Sequence, residues 1–417
     1  MPHSSGEFLA SHSALTRRYF LGLGAAGAAA LAATPAAAAG ERDPQLQAAV
    51  DDLESWLTTQ ADFRDVSRGT PKPHSLPEEQ KQQVGMTRDS WKLEVISDPD
   101  HPAKLKQELS VEKETALDFA GLMQLAEQHA VRFAKVMTCL NIGCPLGTGI
   151  WEGVPIREVL WLTQPRENLR RVFYHGYHND DPEQLFQSSL PVGRVLEDPF
   201  DLPPVILCYK LNGDWLTPER GGPVRVVVPE AYGFKSIKWL KTLVLSNISH
   251  ANDTYAEKNN DVDSPLKSFA ATLNAPMQAD PDAPLAITGY AQVGISGVSK
   301  VQVWIKNESD TASYGRYYVD APWVDAEILP PPTTWGGDVP DNAIPPGTHG
   351  FNADGQPLTW PLRLTKIHWA ILHPGLPAGE YTLHCRTVDD QGHPQPMPRP
   401  FQKSGHAAIE NIALRVG

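Results

Sequence analysis

The hydrophobic pattern of this 417-residue chain changes character near residue 268, and that change limits what it can fold into. Before it, strand and helix patterns are mixed. Residues 91–95 (Trp-Lys-Leu-Glu-Val) alternate apolar and polar like a strand, 119–130 fit an amphipathic helix, and 133–139 read as a further strand. Residues 151–162 are expected to be helical, with Pro155 in the first turn. Residues 205–211 form an apolar strand ending in the hairpin signal Asn212-Gly213, followed by a buried strand over 224–229 and another over 237–246. After residue 268 helical periodicity fades. Strand patterns at 286–290, 301–305, 362–372 and 381–388 are separated by Gly, Pro and Asp turns. The expected architecture is therefore an α+β domain over 89–268 and an all-β sandwich over 269–417. The Pro/Gly-rich stretch 322–361, with Trp323, Trp335 and Trp360, is too long for a hairpin loop and reads as a functional or interface excursion.

The N-terminus reads as an address rather than a fold. Thr16-Arg17-Arg18-Tyr19-Phe20-Leu21 is a twin-arginine sequence, followed by a Gly/Ala/Leu run over 22–33. An A-x-A site follows at Ala36-Ala37-Ala38 or Ala37-Ala38-Ala39. Residues 1–39 are thus expected to be a Tat signal peptide, directing the protein to the periplasm or outside the cell. The apolar run is too short to anchor the chain, so no membrane span is expected after cleavage. Proteins on this route are exported folded, often around a cofactor. Residues 40–88, helix-prone over 46–57 and then turn-rich with Pro71, Pro73 and Pro77, are expected to form an arm on the main domain.

Removing the leader takes away Arg17, Arg18 and Glu7 and moves the net charge from −13 to −14. With no concentrated basic footprint, nucleic acid is not an expected partner. An acidic surface suits solubility and equally suits steering a basic electron carrier such as a c-type cytochrome. The four cysteines, Cys139, Cys144, Cys208 and Cys385, are too few for a disulfide scaffold. The sequence has no C-x-x-C-H for an attached haem, and no C-x-x-C or H-E-x-x-H to support zinc.

Two blocks carry the chemistry. The first is Val136-Met137-Thr138-Cys139-Leu140-Asn141, followed by Trp151-Glu152-Gly153-Val154-Pro155-Ile156-Arg157. The second runs from Leu211-Asn212-Gly213 through Arg220-Gly221-Gly222-Pro223-Val224-Arg225 to Tyr232-Gly233 and Ser236-Ile237-Lys238-Trp239-Leu240. In this order and spacing they resemble the molybdenum-cofactor domain of the sulfite oxidase family, and the likeness extends from about Trp91 to the C-terminus. It implies that the second half is that family's immunoglobulin-like dimerisation domain, making the protein a homodimer. It also implies a molybdenum–molybdopterin cofactor, with Cys139 as the protein ligand to the metal. Asn141, Arg220, Arg225, Ser236 and Lys238 become cofactor contacts, as does His178 or Asp180, which fall where the family has Gly-x-Asp. The physical case agrees: thiolate ligation suits the metal, the chemistry belongs to the cofactor, and arginine clamps phosphate bidentately. Cys144, Cys208 and Cys385 are read as packing residues.

The substrate pocket departs from the family. Arginines that follow the family's ligand cysteine are replaced by Gly143 and Cys144, and Phe186 stands where the family has tyrosine. Arg64 and Arg68 are the candidates to replace the missing cations; without them the pocket is expected to be uncharged. Three readings follow. One is an oxidoreductase that moves an oxygen atom and two electrons between a small substrate and molybdenum, as in sulfite oxidases, with electrons passed to or from a separate protein because the chain has no haem or flavin motif. Another is reduction of a sulfoxide-like substrate on the same fold. The third is a secreted binding protein that has lost the cofactor.

Overall fold

The computed structural model describes residues 42–199, 201–396, 399–405 and 407–417; the leader expected over residues 1–39 lies outside them. Residues 48–417 make one compact unit. The arm opens with the helix Pro44–Asp51 and continues irregularly to the short helix Glu78–Gln83. It anchors on the apolar side chains of Trp56, Leu57 and Phe63, all buried.

Two sheets follow. One has five strands in the order Leu117–Asp118, Lys92–Ser97, Leu240–Ser246, Arg171–Gly176, Gln187–Pro191. Its centre is the parallel pairing of Val95 with Leu243, both fully buried. The helix Phe119–His129 is capped where Asp118 Oδ1 accepts from the Gly121 amide at 2.8 Å. The other sheet has six strands on its main path or paired to it. Val131–Thr138 pairs antiparallel with Pro145–Pro155, and that with Ile206–Leu211. Asp214–Trp215 and Arg225–Val227 add to the last. Asn212 and Gly213 turn the hairpin with φ of 56° and 92°, the left-handed geometry such a turn requires.

Residues 151–162, expected as one helix, divide at proline. Trp151 to Pro155 finish the long strand Pro145–Pro155, and only Ile156–Trp161 is helical. From Leu146 to Pro155 every residue is buried, so the strand has no polar face and shows no alternation to read. The strand expected over 237–246 begins only at Leu240, because Trp239 adopts a left-handed φ of 53°.

Beyond residue 268 the regular structure among the described residues is strand, apart from two single 3-10 turns. Eight strands run in the order Phe269–Asn274, Leu285–Gln292, Lys366–His373, Val324–Ile328, Lys300–Asn307, Gly379–Val388, Ile412–Val416, Gln278–Ala279. Val324–Ile328 joins two groups: residues 324–326 pair with 301–303, and 327–328 with 369–370. The sheet curls about this strand around a core containing Ile287, Val303, Trp369, Leu383 and Cys385. The Pro/Gly-rich excursion leaves it: Thr348–His349 pairs in parallel with Arg132 and Phe133 at the edge of the six-stranded sheet. Trp335 and Phe351 from the same stretch pack on Trp56, at centroid distances of 5.1 and 6.4 Å. Nearby, the Val136 amide donates to Leu364 O at 2.7 Å, and Thr138 Oγ1 donates to Gln292 Oε1.

Candidate functional site

Cys139 follows directly on the strand Val131–Thr138, half-buried and free, at the start of the loop to Pro145. It opens on a cavity of about 250 Å³. Asn141, His178, Arg220, Arg225, Ser236 and Lys238 line the same cavity, so all but one of the expected site residues meet there. Asp180 is exposed on its turn and does not line it; of the pair His178 and Asp180, only the histidine faces the cavity.

The two arginines are fixed by backbone carbonyls. Arg225 is fully buried; its Nη1 donates to Arg220 O at 2.7 Å and its Nη2 to Ser236 O at 2.6 Å. The guanidinium sits over Trp151, 5.2 Å from the ring centroid. Arg220 donates Nη1 to Phe63 O at 2.9 Å. In both, Nε is buried with no hydrogen-bond partner. Buried donors are rarely left unpaired, so two such guanidiniums lining one cavity suit an acceptor-rich ligand there.

Lys238 completes the cationic wall. Its Nζ donates to Ser67 Oγ at 2.7 Å, to Asp65 Oδ1 at 3.2 Å and to Glu219 O. Burial, reinforced by the charge of Arg225, pushes Lys238 down to about 7, although Asp65 pulls the other way. Burial, with a further push from Arg220 and against the pull of Cys208, lowers Arg225 to about 10. Gly221, at φ 99°, lets the chain pass against Lys238; a Cβ there would lie 2.7 Å from Lys238 Cγ. His178 is lowered to about 4, chiefly by burial, and is neutral near pH 7. Its Nδ1 lies 2.8 Å from Gly176 O; a carbonyl can only accept, so Nδ1 carries the hydrogen and Nε2 is left as an acceptor.

The substrate-side wall comes from elsewhere. The arm runs along the strand Pro145–Pro155, with Thr58 N donating to Thr148 O and Arg64 N to Leu146 O, both at 2.8 Å. This places Phe63, Arg64, Val66, Ser67 and Arg68 on the cavity wall. Arg64 Nη1 donates to Cys144 Sγ at 3.3 Å, and Arg68 lies over the Phe186 ring, 4.5 Å from its centroid. The uncharged pocket expected from Gly143, Cys144 and Phe186 is therefore corrected: the arm brings two arginines to its mouth. Their source lies some seventy residues upstream, beyond any local comparison around Cys139. Tyr255, which no pattern in the sequence singled out, also lines the cavity beside Phe186 and Phe234.

Cys208 is fully buried, its thiol pushed up to about 12 by burial, and Cys385 is raised in the same way. Both are packing residues, as expected. Cys144 touches Arg64 rather than a purely apolar shell.

Comparison with known proteins agrees with this geometry. Residues 82–254 match the model of the oxidoreductase molybdopterin-binding domain. This region belongs to the sulfite oxidase and nitrate reductase family of molybdopterin-binding domains. Sulfite oxidase from Gallus gallus is 35% identical over 135 residues, covering 31% of this chain and 29% of its own length. Nitrate reductase [NADH] 2 from Arabidopsis thaliana is 27% identical over 183 residues, covering 41% of this chain and 20% of its own. The chain thus spans less than a third of either relative. Among solved structures, the sulfane dehydrogenase SoxCD from Paracoccus pantotrophus shares the fold. Its TM-score is 0.52 at 15% identity, covering 91% of this chain and 94% of that one. No helix among the described residues is long and apolar enough to cross a membrane.

Proposed function

We propose that this chain is an exported molybdopterin-dependent oxidoreductase that moves an oxygen atom and two electrons to or from a small, sulfur-containing substrate. The observation that carries the reading is the convergence of one free thiol, Cys139, with Arg220, Arg225 and Lys238 on a single cavity. Cys139 would ligate the metal. Arg225, Arg220 and Lys238 would hold the phosphate and polar edges of the pterin. His178 offers an acceptor at Nε2, and Ser236 is fixed where its Oγ accepts from Val228 N at 3.2 Å. When bound, the molybdenum centre supplies oxygen-atom and two-electron exchange.

The protein's own part is binding, orientation and exclusion of water. The mouth arginines Arg64 and Arg68 favour a substrate bearing negative charge, since charge-assisted hydrogen bonds are the strong ones. Oxidising sulfite to sulfate takes one oxygen from water and releases two protons and two electrons, which a separate carrier protein must accept. A second reading, reduction of a sulfoxide to a sulfide and water with two protons from solvent and two electrons from a separate donor protein, draws support from the aromatic wall of Phe186, Phe234 and Trp239, suited to a neutral organic group. The curled β-sheet half is read as the immunoglobulin-like dimerisation module, and export follows from the twin-arginine leader.

The test is metal analysis by mass spectrometry of protein made with its leader in a cofactor-competent host, wild type beside Cys139→Ser. Stoichiometric molybdenum in the wild type, with an altered metal spectrum or lost metal in the variant, is the expected result. Absence of molybdenum from both would leave a binding protein on this fold. Turnover of sulfite with an oxidised dye, against sulfoxide with a reduced dye, separates the two reactions.

A further inference from the structure

We infer that Tyr255 is a substrate-facing hydrogen-bond donor of this cavity, presenting its hydroxyl hydrogen to an oxygen of the substrate beside the positive charge of Arg68. The inference rests on the reading above for the identity of the reaction, but not for the geometry of the subsite.

Donor accounting carries it. Arg68 Nη2 lies 2.8 Å and Asn141 Nδ2 3.1 Å from the phenol oxygen. Guanidinium and amide nitrogens only donate, so both bonds use that oxygen as an acceptor. The hydroxyl hydrogen is spent on neither, and no acceptor among the described residues takes it. A side chain only 4% exposed cannot spend that hydrogen freely on bulk water. Tyr255 lines the cavity, and a ligand oxygen there would satisfy it.

The ring is held in place. It stacks on Phe234 at 4.8 Å and meets Phe186 edge-on at 5.1 Å. Its segment is tied to the strand Gln187–Pro191: Gln187 N donates to Thr254 Oγ1 at 3.0 Å, and Thr254 N to Gln187 O at 3.2 Å. The preceding Asp253 is buried, accepts from Ser189 Oγ at 2.9 Å and lies 3.5 Å from Lys235 Nζ. A donor fixed this firmly needs no reorganisation when charge develops on a bound oxygen. With Arg68 over Phe186 and 5.3 Å from the Tyr255 ring, the subsite suits a small molecule whose sulfur- or nitrogen-bound oxygen is anionic or strongly dipolar.

The test uses Tyr255→Phe, which removes one oxygen and leaves the ring. Molybdenum content is measured first, then sulfite oxidation with ferricyanide as acceptor, and inorganic sulfate is titrated by calorimetry into loaded and cofactor-free protein. Arg68→Ala identifies the sulfate-binding step that belongs to this subsite. The expected result is unchanged molybdenum, KM for sulfite raised about 10- to 100-fold, and the Arg68-dependent sulfate step weakened severalfold. Adding Phe186→Tyr to Tyr255→Phe, which places a phenol on the adjoining ring, is expected to restore part of the sulfate affinity. A molybdenum-loaded Tyr255→Phe with unchanged sulfate affinity overturns the inference. So does a wild type with no Arg68-dependent step, or a variant that loses molybdenum, since Tyr255 would then serve the cofactor. If the wild type holds no molybdenum, the proposed function fails, while the sulfate titration still decides the role of Tyr255.

Discussion

Lys238 Nζ stands 3.2 Å from Asp65 Oδ1, an ion pair joining the second sequence block to the arm. Burial works against the Asp65 carboxylate, but hydrogen bonds from Lys72 and Ser67 and the charge of Lys238 hold it well below its usual range. In return Asp65 keeps Lys238, already down at about 7, from falling further. In Asp65→Asn, Lys238 is expected to deprotonate at lower pH. Cofactor loss at pH 7 should then be about tenfold faster than in wild type, and slower again near pH 6. Molybdenum retention after dialysis at the two pH values checks this; identical pH dependence in both proteins contradicts it.

Arg225→Lys tests the guanidinium rather than the charge. A lysine ammonium donates from a single tetrahedral nitrogen and cannot reproduce the planar, two-nitrogen fork that bonds Arg220 O and Ser236 O. Molybdenum content of the purified variant should fall about tenfold or more. Thermal unfolding of cofactor-free protein, measured alongside, separates loss of the site from loss of the fold.

Gly221→Ala is expected to cost about 1–3 kcal/mol, because its φ of 99° disfavours a side chain and the new Cβ would press on Lys238. Urea unfolding of cofactor-free protein gives the number. Gly193→Ala is the control: within the helix Val192–Leu196 an added Cβ meets nothing within 4 Å, and a gain of about 0.5–1 kcal/mol is expected.

Lys135 is wholly buried, its Nζ donating to Ala231 O at 2.8 Å and Val136 O at 3.1 Å. Burial pushes it down to about 7, despite the attraction of Glu230 and with added repulsion from Arg225. Above pH 7 the folded chain has released a proton that the unfolded chain keeps until about pH 10. The contribution of Lys135 to stability therefore rises with pH across that window, by an amount on the order of a few kcal/mol. Lys135→Met should show a smaller gain between pH 7 and 9.5 in denaturant unfolding; an equal gain would place the titration elsewhere.

What could be read from the sequence depended on where each residue gets its constraint. Cys139, Arg225, Ser236 and Lys238 sit in two short runs whose spacing is set by the strands around them, and the runs carried the site. Arg64, Ser67, Arg68 and Tyr255 come from irregular segments with no periodicity, and only tertiary packing brings them to the cavity. Arg64 and Arg68 entered the reading as candidate replacements for missing cations, while nothing pointed to Tyr255. Asp180 shared a polar turn with His178, and composition alone could not tell the inward residue from the exposed one. The fold followed the same division. Alternating strands such as Lys92–Ser97 were legible, whereas 151–155, buried on both faces, passed for helix.

The grip of the C-terminal half on the cysteine-bearing strand has a consequence for biosynthesis. Val136 is held by Leu364, Thr138 by Gln292 and the strand's edge by Thr348–His349. None of these partners exists until the ribosome has passed far beyond the segments that supply the cavity's lining. The strand that carries Cys139 therefore reaches its final set of partners only once synthesis has passed Leu364, so the site's completion is coupled to the folding of the C-terminal half.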